Sequence, residues 1–316
     1  MGAILVRRLL SALPILLIVS LITFAMIHLI PGDPAIAIAG MSATPEQVAN
    51  IRRDLGLDQP LPSQLWDWYA NLLHGNLGRS LLLGQPVVQA TMQRLPVTLA
   101  LSAYALVLTL MLGLISGIVA ALRQNSWIDQ AAMVLAMIGI SVPSFYLGLL
   151  MIILFAVDLR WLPTGGYVAL TQDPLGWLAT STMPAIALAL LLAGLLARIT
   201  RSTMLEVLRQ DYIRTARAKG LPERLVVMKH ALANALIPIT TVVGIIVSLL
   251  ISGSVVVETL FSIPGIGQLL TQAVLNRDYP MVQGGLLITT ALLVGVNILV
   301  DVCYALLDPR VRYDGA

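Results

Sequence analysis

Residues 203–238 read TMLEVLRQDYIRTARAKGLPERLVVMKHALANALIP, the only long polar stretch between two apolar spans that also concentrates positive charge. Thr203 and Glu206 have the S/T-x-x-E spacing of a capping box, and Gly220 followed by Pro222 supplies a stop, which predicts one amphipathic helix over about 204–219. A second helix is expected near Pro222, where a missing N–H costs nothing. Leu205, Leu208, Tyr212 and Ala216 recur at three- and four-residue steps and predict an apolar stripe, with Arg209, Arg214, Arg217 and Lys219 mostly elsewhere. Such a helix docks on a partner or lies on an anionic leaflet. The small residues Thr215, Ala216, Ala218 and Gly220 favour a protein cleft, because they permit close backbone approach and offer lipid little apolar area.

The rest of the chain places this segment in a membrane protein. It has 316 residues, of which 58% are hydrophobic and 11% charged, and its mean hydropathy is +0.89, too little polar surface to wrap a soluble core. The formal charge of +3 sits at the ends of apolar spans, which is a topology signal and excludes a nucleic-acid footprint. Cys303, the only cysteine, lies within the last apolar span, so no intrachain disulfide and no thiolate cluster is possible. His28, His74 and His230 fall in different segments without ligand spacing, and no metal is assigned.

Six spans are expected. The first, Leu9 to Ile30, is about 33 Å long as a helix and exceeds a signal-peptide core of roughly 7–15 residues, so it is read as uncleaved despite the small-x-small Ala35-Ile36-Ala37. Residues 31–96 are polar and broken by Pro and Gly, with Trp66, Trp68 and Tyr69 suited to a membrane interface or a small cap. Spans follow at 97–122, 131–157, 183–199, 238–257 and 281–307, the fourth being the shortest and running through Arg198 and Arg201 into the basic segment. Gly113 and Gly117, and Gly244 and Gly253, suit close helix packing. Pro143 predicts a kink in the third span, with Ser141 or Ser144 replacing the lost bond; a bend beside a passage and ordinary packing explain it equally well. Asn297 and Asp301 share a face of the sixth span, where an ion pair or helix-end hydrogen bond suits Asp301. Arg7, Arg8, Arg123, the basic residues from Arg198 to Lys229, Arg310 and Arg312 outnumber those on the other side, which puts both termini in the cytoplasm.

The run Asp211-Tyr212-Ile213-Arg214-Thr215-Ala216-Arg217-Ala218-Lys219-Gly220, with Asn234-Ala235-Leu236-Ile237-Pro238 after it, resembles the cytoplasmic coupling loop, or EAA motif, of bacterial ABC-importer permeases. Arg214-Thr215-Ala216 replaces the glutamate-alanine-alanine core, a form found in the dipeptide/oligopeptide branch. Pro31-Gly32-Asp33-Pro34, Leu55-Gly56-Leu57-Asp58-Gln59-Pro60, Gly75-Asn76-Leu77-Gly78, 258–267 (ETLFSIPGIG) and Asp308-Pro309-Arg310 are similar to further signatures of that branch, so the resemblance covers essentially the whole chain.

The resemblance implies an all-α type I ABC importer permease in the cytoplasmic (inner) membrane, importing dipeptides and oligopeptides; related permeases take glutathione or chelated nickel. It implies residues 1–95 as first helix plus extracytoplasmic region, 96–307 as the five-helix transporter domain with its coupling loop at about 203–237, and 308–316 as a cytoplasmic tail. Its implied partners are a second homologous permease, two ABC ATPase subunits that bind ATP and magnesium, and an extracytoplasmic substrate-binding protein. The implied coupling residues are Glu206, Asp211, Tyr212, Ile213, Arg214, Ala216, Arg217, Lys219 and Gly220, with Tyr212, Ile213, Ala216 and Gly220 held in the ATPase cleft. Neither lysine follows a G-x-x-x-x-G pattern, so the chain has no phosphate loop of its own, and no catalytic motif is present. An ion-coupled carrier is the competing class, with only Asp301 to couple through. Ser141, Ser144, Ser248, Ser252 and Asn297 are candidates to line a passage, and serve equally as interhelical hydrogen-bonding groups.

Overall fold

Long apolar runs dictate helices, and helices are what the chain forms, even across Pro14, Pro96, Pro184 and Pro238. The structure, a computed structural model, describes residues 2–29, 33–39, 43–54 and 56–307. The helices are α1 Gly2–Leu29, α2 Pro34–Ala39, α3 Pro45–Asp54, α4 Leu61–Leu73, α5 Val87–Leu122, α6 Trp127–Ser141, α7 Ser144–Met151, α8 Pro174–Leu208, α9 Asp211–Ala218, α10 Glu223–Leu225, α11 Ala233–Leu260, α12 Ile266–Leu275 and α13 Tyr279–Leu307. Two π-helical stretches, Ile152–Asp158 and Val226–Leu232, extend α7 and join α10 to α11. Among the described residues no strand forms beyond an isolated Arg79–Pro86 bridge. Among the described residues five helical runs are long and apolar enough to cross a bilayer, and Trp127–Ser141 with Ser144–Asp158, bent by 101° at the break between them, brings the number to six when the pair is counted as one span.

Several boundaries differ from the expected ones. The fourth span is not the shortest: α8 has 35 residues, about 52 Å, well beyond a hydrocarbon core of about 30 Å. Asp173 starts it by accepting the Leu175 N–H at 3.0 Å, with Pro174 at the first helical position, a cap that the hydropathy pattern hid. Nothing between Arg198 and Leu208 breaks a helix, so α8 runs on through Thr203 and Glu206, which cap nothing. The second span begins earlier, at Val87, and the helix expected near Pro222 does start there, at Glu223, and is one unbroken run to Leu260 with the span expected from Pro238.

Residues expected to form a loop between Pro31 and Pro96 hold α2, α3 and α4. Pro31, Gly32, Leu55 and 308–316 lie outside the described residues, as do the side chains of Asp301 and Cys303. At Pro143 the expected kink is a full break, and Ser141 Oγ donates to the Met137 carbonyl at 2.8 Å, not to the Gly139 carbonyl that proline leaves without its usual donor.

Of the described residues, those in 97–264 and 296–307 form one compact unit, and those in 2–96 and 265–295 another. In the first, α8 is the central helix, buried along Trp177 to Met204. α5 runs parallel to it: a Cβ on Gly113 would meet Leu196 Cβ at 2.8 Å and one on Gly117 the Ala197 carbonyl at 2.6 Å, so both glycines are close-approach points as expected. The Tyr104 and Trp177 rings pack 5.2 Å apart on the same seam. α6 runs antiparallel to α8, with Gly139 against the Leu190 carbonyl and Gly194 against that of Ala136. Gly253 is different, since a Cβ there would meet Leu188 only at 3.8 Å, an ordinary contact.

In the second unit α1 is held by Gln283 Nε2, which donates to the Thr23 carbonyl at 2.9 Å, and by Ser20 Oγ and Tyr69 Oη, 2.9 Å apart. Buried Asp278 starts α13 by accepting the Met281 N–H at 3.2 Å, and also takes Ser80 Oγ at 2.5 Å and the Leu82 N–H at 3.1 Å. Gly284 lets the helix close on Leu77 and Val87. The stretches 75–78 and 276–280, far apart in sequence, are thus packed together.

Candidate functional site

α8 is capped by Arg209, still in the right-handed helical region, and the break comes at Gln210, extended at φ −68° and ψ 147°. The chain restarts as α9, whose first N–H groups donate to the Gln210 carbonyl from Ile213 and Arg214 at 3.1 and 3.3 Å. Asp211 in the first turn suits the positive end of the helix dipole. Its 3.4 Å pair with Arg214 joins two well-exposed side chains and contributes little.

The break turns α9 relative to α8, so the expected single stripe from Leu205 to Ala216 does not form. Ile213 and Ala216 point inward, 0% and 7% exposed, in the core that also holds Met204, Val226, Val227 and Ala231. Tyr212, 45% exposed, points away with Arg214, Arg217 and Lys219. Ile213 and Ala216 thus anchor α9 to its own chain, and Tyr212 and the basic residues lie on its exposed face. Glu206 is exposed on α8, one turn before the break, where its carbonyl accepts the Arg209 N–H at 3.3 Å.

α9 ends in a Schellman motif. The Leu221 N–H reaches the Ala216 carbonyl at 3.4 Å and the Gly220 N–H the Arg217 carbonyl at 2.9 Å. Gly220 sits at φ +76°, which requires a residue without a Cβ penalty, and nothing lies within 4 Å of where a Cβ would be. Leu221 packs on the core. Arg217 grips Glu223 with both guanidinium arms, Nε at 3.0 Å and Nη2 at 2.6 Å, tying the end of α9 to α10. Donating to the Glu223 carboxylate holds the Arg217 pKa above its ordinary value. The result is a short rigid helix, anchored on one face, presenting a tyrosine and cations on the other.

Residues 111–313 match the family described as binding-protein-dependent transport system inner membrane component, and residues 1–102 match the N-terminal part of such membrane components. The chain belongs to this family of permeases. A permease 54% identical over 314 residues, which covers 99% of this chain and 100% of the relative, is a peptide transport system permease protein by name, from Brucella abortus (strain 2308). A peptide ABC transporter permease protein of Sinorhizobium fredii is 44% identical over 99% of this chain and 100% of its own. The glutathione transport system permease protein GsiC of Pectobacterium atrosepticum is 42% identical over 98% of each chain. Among solved structures, the inward-facing methionine ABC transporter MetNI matches with TM-score 0.56 at 17% identity, covering 70% of this chain and 97% of that one, a likeness of fold.

Of the residues expected to line a passage in this permease, the structure joins two. Ser248 Oγ on α11 donates to Asn297 Oδ1 on α13 at 2.5 Å, an interhelical hydrogen bond. Ser141 bonds within its own helix, and Ser252 is exposed on α11. Two polar features escaped the sequence reading. Glu258 is fully buried and accepts from Thr98 Oγ1 at 2.7 Å. Asp129, its side chain 4% exposed, is paired with Arg201. An acidic residue just after the N-cap Ser126 signals only a helix start, and its distant cation has no local trace.

Proposed function

We propose that this chain is the permease subunit of an ATP-driven importer of small peptides in a bacterial cytoplasmic membrane, coupled through α9 to separate ATPase subunits. The observation that carries the coupling role is the geometry of α9, a helix between two spans with Ile213 and Ala216 locked into the core and Tyr212, Arg214 and Lys219 turned outward. Peptide cargo is supported by the names of relatives 54% and 44% identical along their whole length. In this reading both termini and α9 are cytoplasmic, and residues 1–95 give the first span plus an extracytoplasmic region. Residues 96–307 are the transporter domain and 308–316 a tail. A second permease completes the passage, two ATPases bind ATP and magnesium, and an extracytoplasmic binding protein delivers the cargo. ATP-driven closure of the ATPases displaces α9, and α8 and α11, joined to its two ends, reorient to alternate access.

Purification of the tagged chain with its associated proteins tests this. An ATPase and a second permease are expected to co-purify, with ATP hydrolysis driving uptake of labelled di- to pentapeptides into proteoliposomes. A chain that purifies alone and transports under an ion gradient would instead be a secondary carrier. Glutathione is a second cargo reading, favoured by the 42% identity to GsiC over 98% of both chains. Competition between labelled glutathione and unlabelled dipeptides in the same vesicles decides between them.

A further inference from the structure

The α6–α8 seam holds one charged contact. Moving along it, Gly139 meets Leu190, Ala136 meets Gly194, and Asp129 meets Arg201, so each step back along α6 is matched by a step forward along α8. The first two contacts are glycines against carbonyls, which permit close approach without fixing one helix lengthwise against the other. The third is directional. Arg201 Nε donates to Asp129 Oδ1 at 2.5 Å and Nη2 to Oδ2 at 2.7 Å, a two-armed match of guanidinium to carboxylate. Asp129 Oδ2 also accepts the Asn125 N–H at 2.9 Å, and Ser126 Oγ accepts the Asp129 N–H at 3.3 Å, so the same carboxylate closes the turn between α5 and α6.

Arg201 lies two turns before the end of α8, whose next residues lead into α9. At its other end α6 leads into the break at Val142-Pro143 and then α7. We propose that the Asp129–Arg201 pair is a positioning brace, holding the α5–α6 turn to the lower end of α8 throughout the transport cycle so that displacement of α9 is delivered to the broken span. Neither residue touches cargo or nucleotide; both act through the helices they join. This rests on the importer reading above.

The test uses the full transporter in proteoliposomes, with labelled di- to pentapeptides as the probe and peptide taken up per ATP hydrolysed as the readout. Arg201→Lys keeps the charge and loses the fork. It is expected to assemble normally, hydrolyse ATP, and take up about tenfold less peptide per ATP. In a Cys303→Ser background, D129C/R201C bridged by a short bis-maleimide should recover the wild-type ratio, and the unbridged pair should not. The brace is overturned if R201K keeps its ratio within about twofold of wild type, if R201K fails to assemble, or if the bridged variant stays low or stops transporting. Wild-type vesicles showing no ATP-driven uptake would defeat the importer reading instead, a result separable from all of these.

Discussion

Gly220 is where backbone and charge can be tested separately, because its φ of +76° is left-handed while the space around it is open. Gly220→Ala should cost about 1–2 kcal/mol from the left-handed backbone alone, seen as a lower Tm of the detergent-solubilised complex. Gly220→Asn, which tolerates that conformation, should be close to neutral. Gly220→Asp fits the backbone equally well but puts a negative charge beside Lys219, so it is expected to leave abundance and Tm near wild type while separating ATP hydrolysis from uptake. Normal uptake by the aspartate variant would remove α9 from the coupling role. This glycine was legible from its place after a basic helix. It could not show that Ile213 faces inward and Tyr212 outward, since that depends on where the helix before it breaks. Asn297→Ala tests the other site residue: loss of its bond to Ser248 should cost about 0.6 kcal/mol and leave the ranking of peptides by uptake unchanged. A changed ranking would make Asn297 a passage residue.

Helix seams separate the glycines that the primary structure cannot. Gly194 and Gly253 look alike in sequence, yet a Cβ on Gly194 would sit 2.4 Å from the Ala136 carbonyl and one on Gly253 only 3.8 Å from a flexible leucine. Gly194→Ala should destabilise by about 1–3 kcal/mol through overpacking against backbone. Gly253→Ala should be neutral or gain up to about 1 kcal/mol from helix propensity. Thermal unfolding of the two variants side by side checks both, and equal shifts would contradict the seam. Span existence was legible from hydropathy, whereas helix ends were not. The S/T-x-x-E pattern at Thr203 occurs inside α8 because nothing breaks the helix there, and the working cap at Asp173 was masked by its polar surroundings. α12 was missed because ten residues between Gly265 and Asn276 are too short to register as a span.

For the whole chain, charge asymmetry is the main sign of orientation. Lys219→Cys in a Cys303→Ser background should react with a membrane-impermeant maleimide only when the cytoplasmic face is open, and Thr171→Cys, on the loop before α8, only from the other side. The reverse pattern would invert the topology. The all-α class and six apolar segments were readable because apolar runs of bilayer length have few alternatives. The break of 101° in the third of these was readable only as a kink, since Pro143 fixes where backbone bonding is lost but not how the two halves then run.

The pairing of α6 with α8 also sets where the chain tolerates a change of length. One residue inserted into α6 between Asp129 and Ala136 would turn the rest of the helix by about 100°, so the carboxylate could keep Arg201 only if the two glycine contacts were given up. A single insertion among the exposed residues Leu170 to Gln172 disturbs neither partner. Indels in this chain should therefore survive in the loop before α8 and be lost from α6.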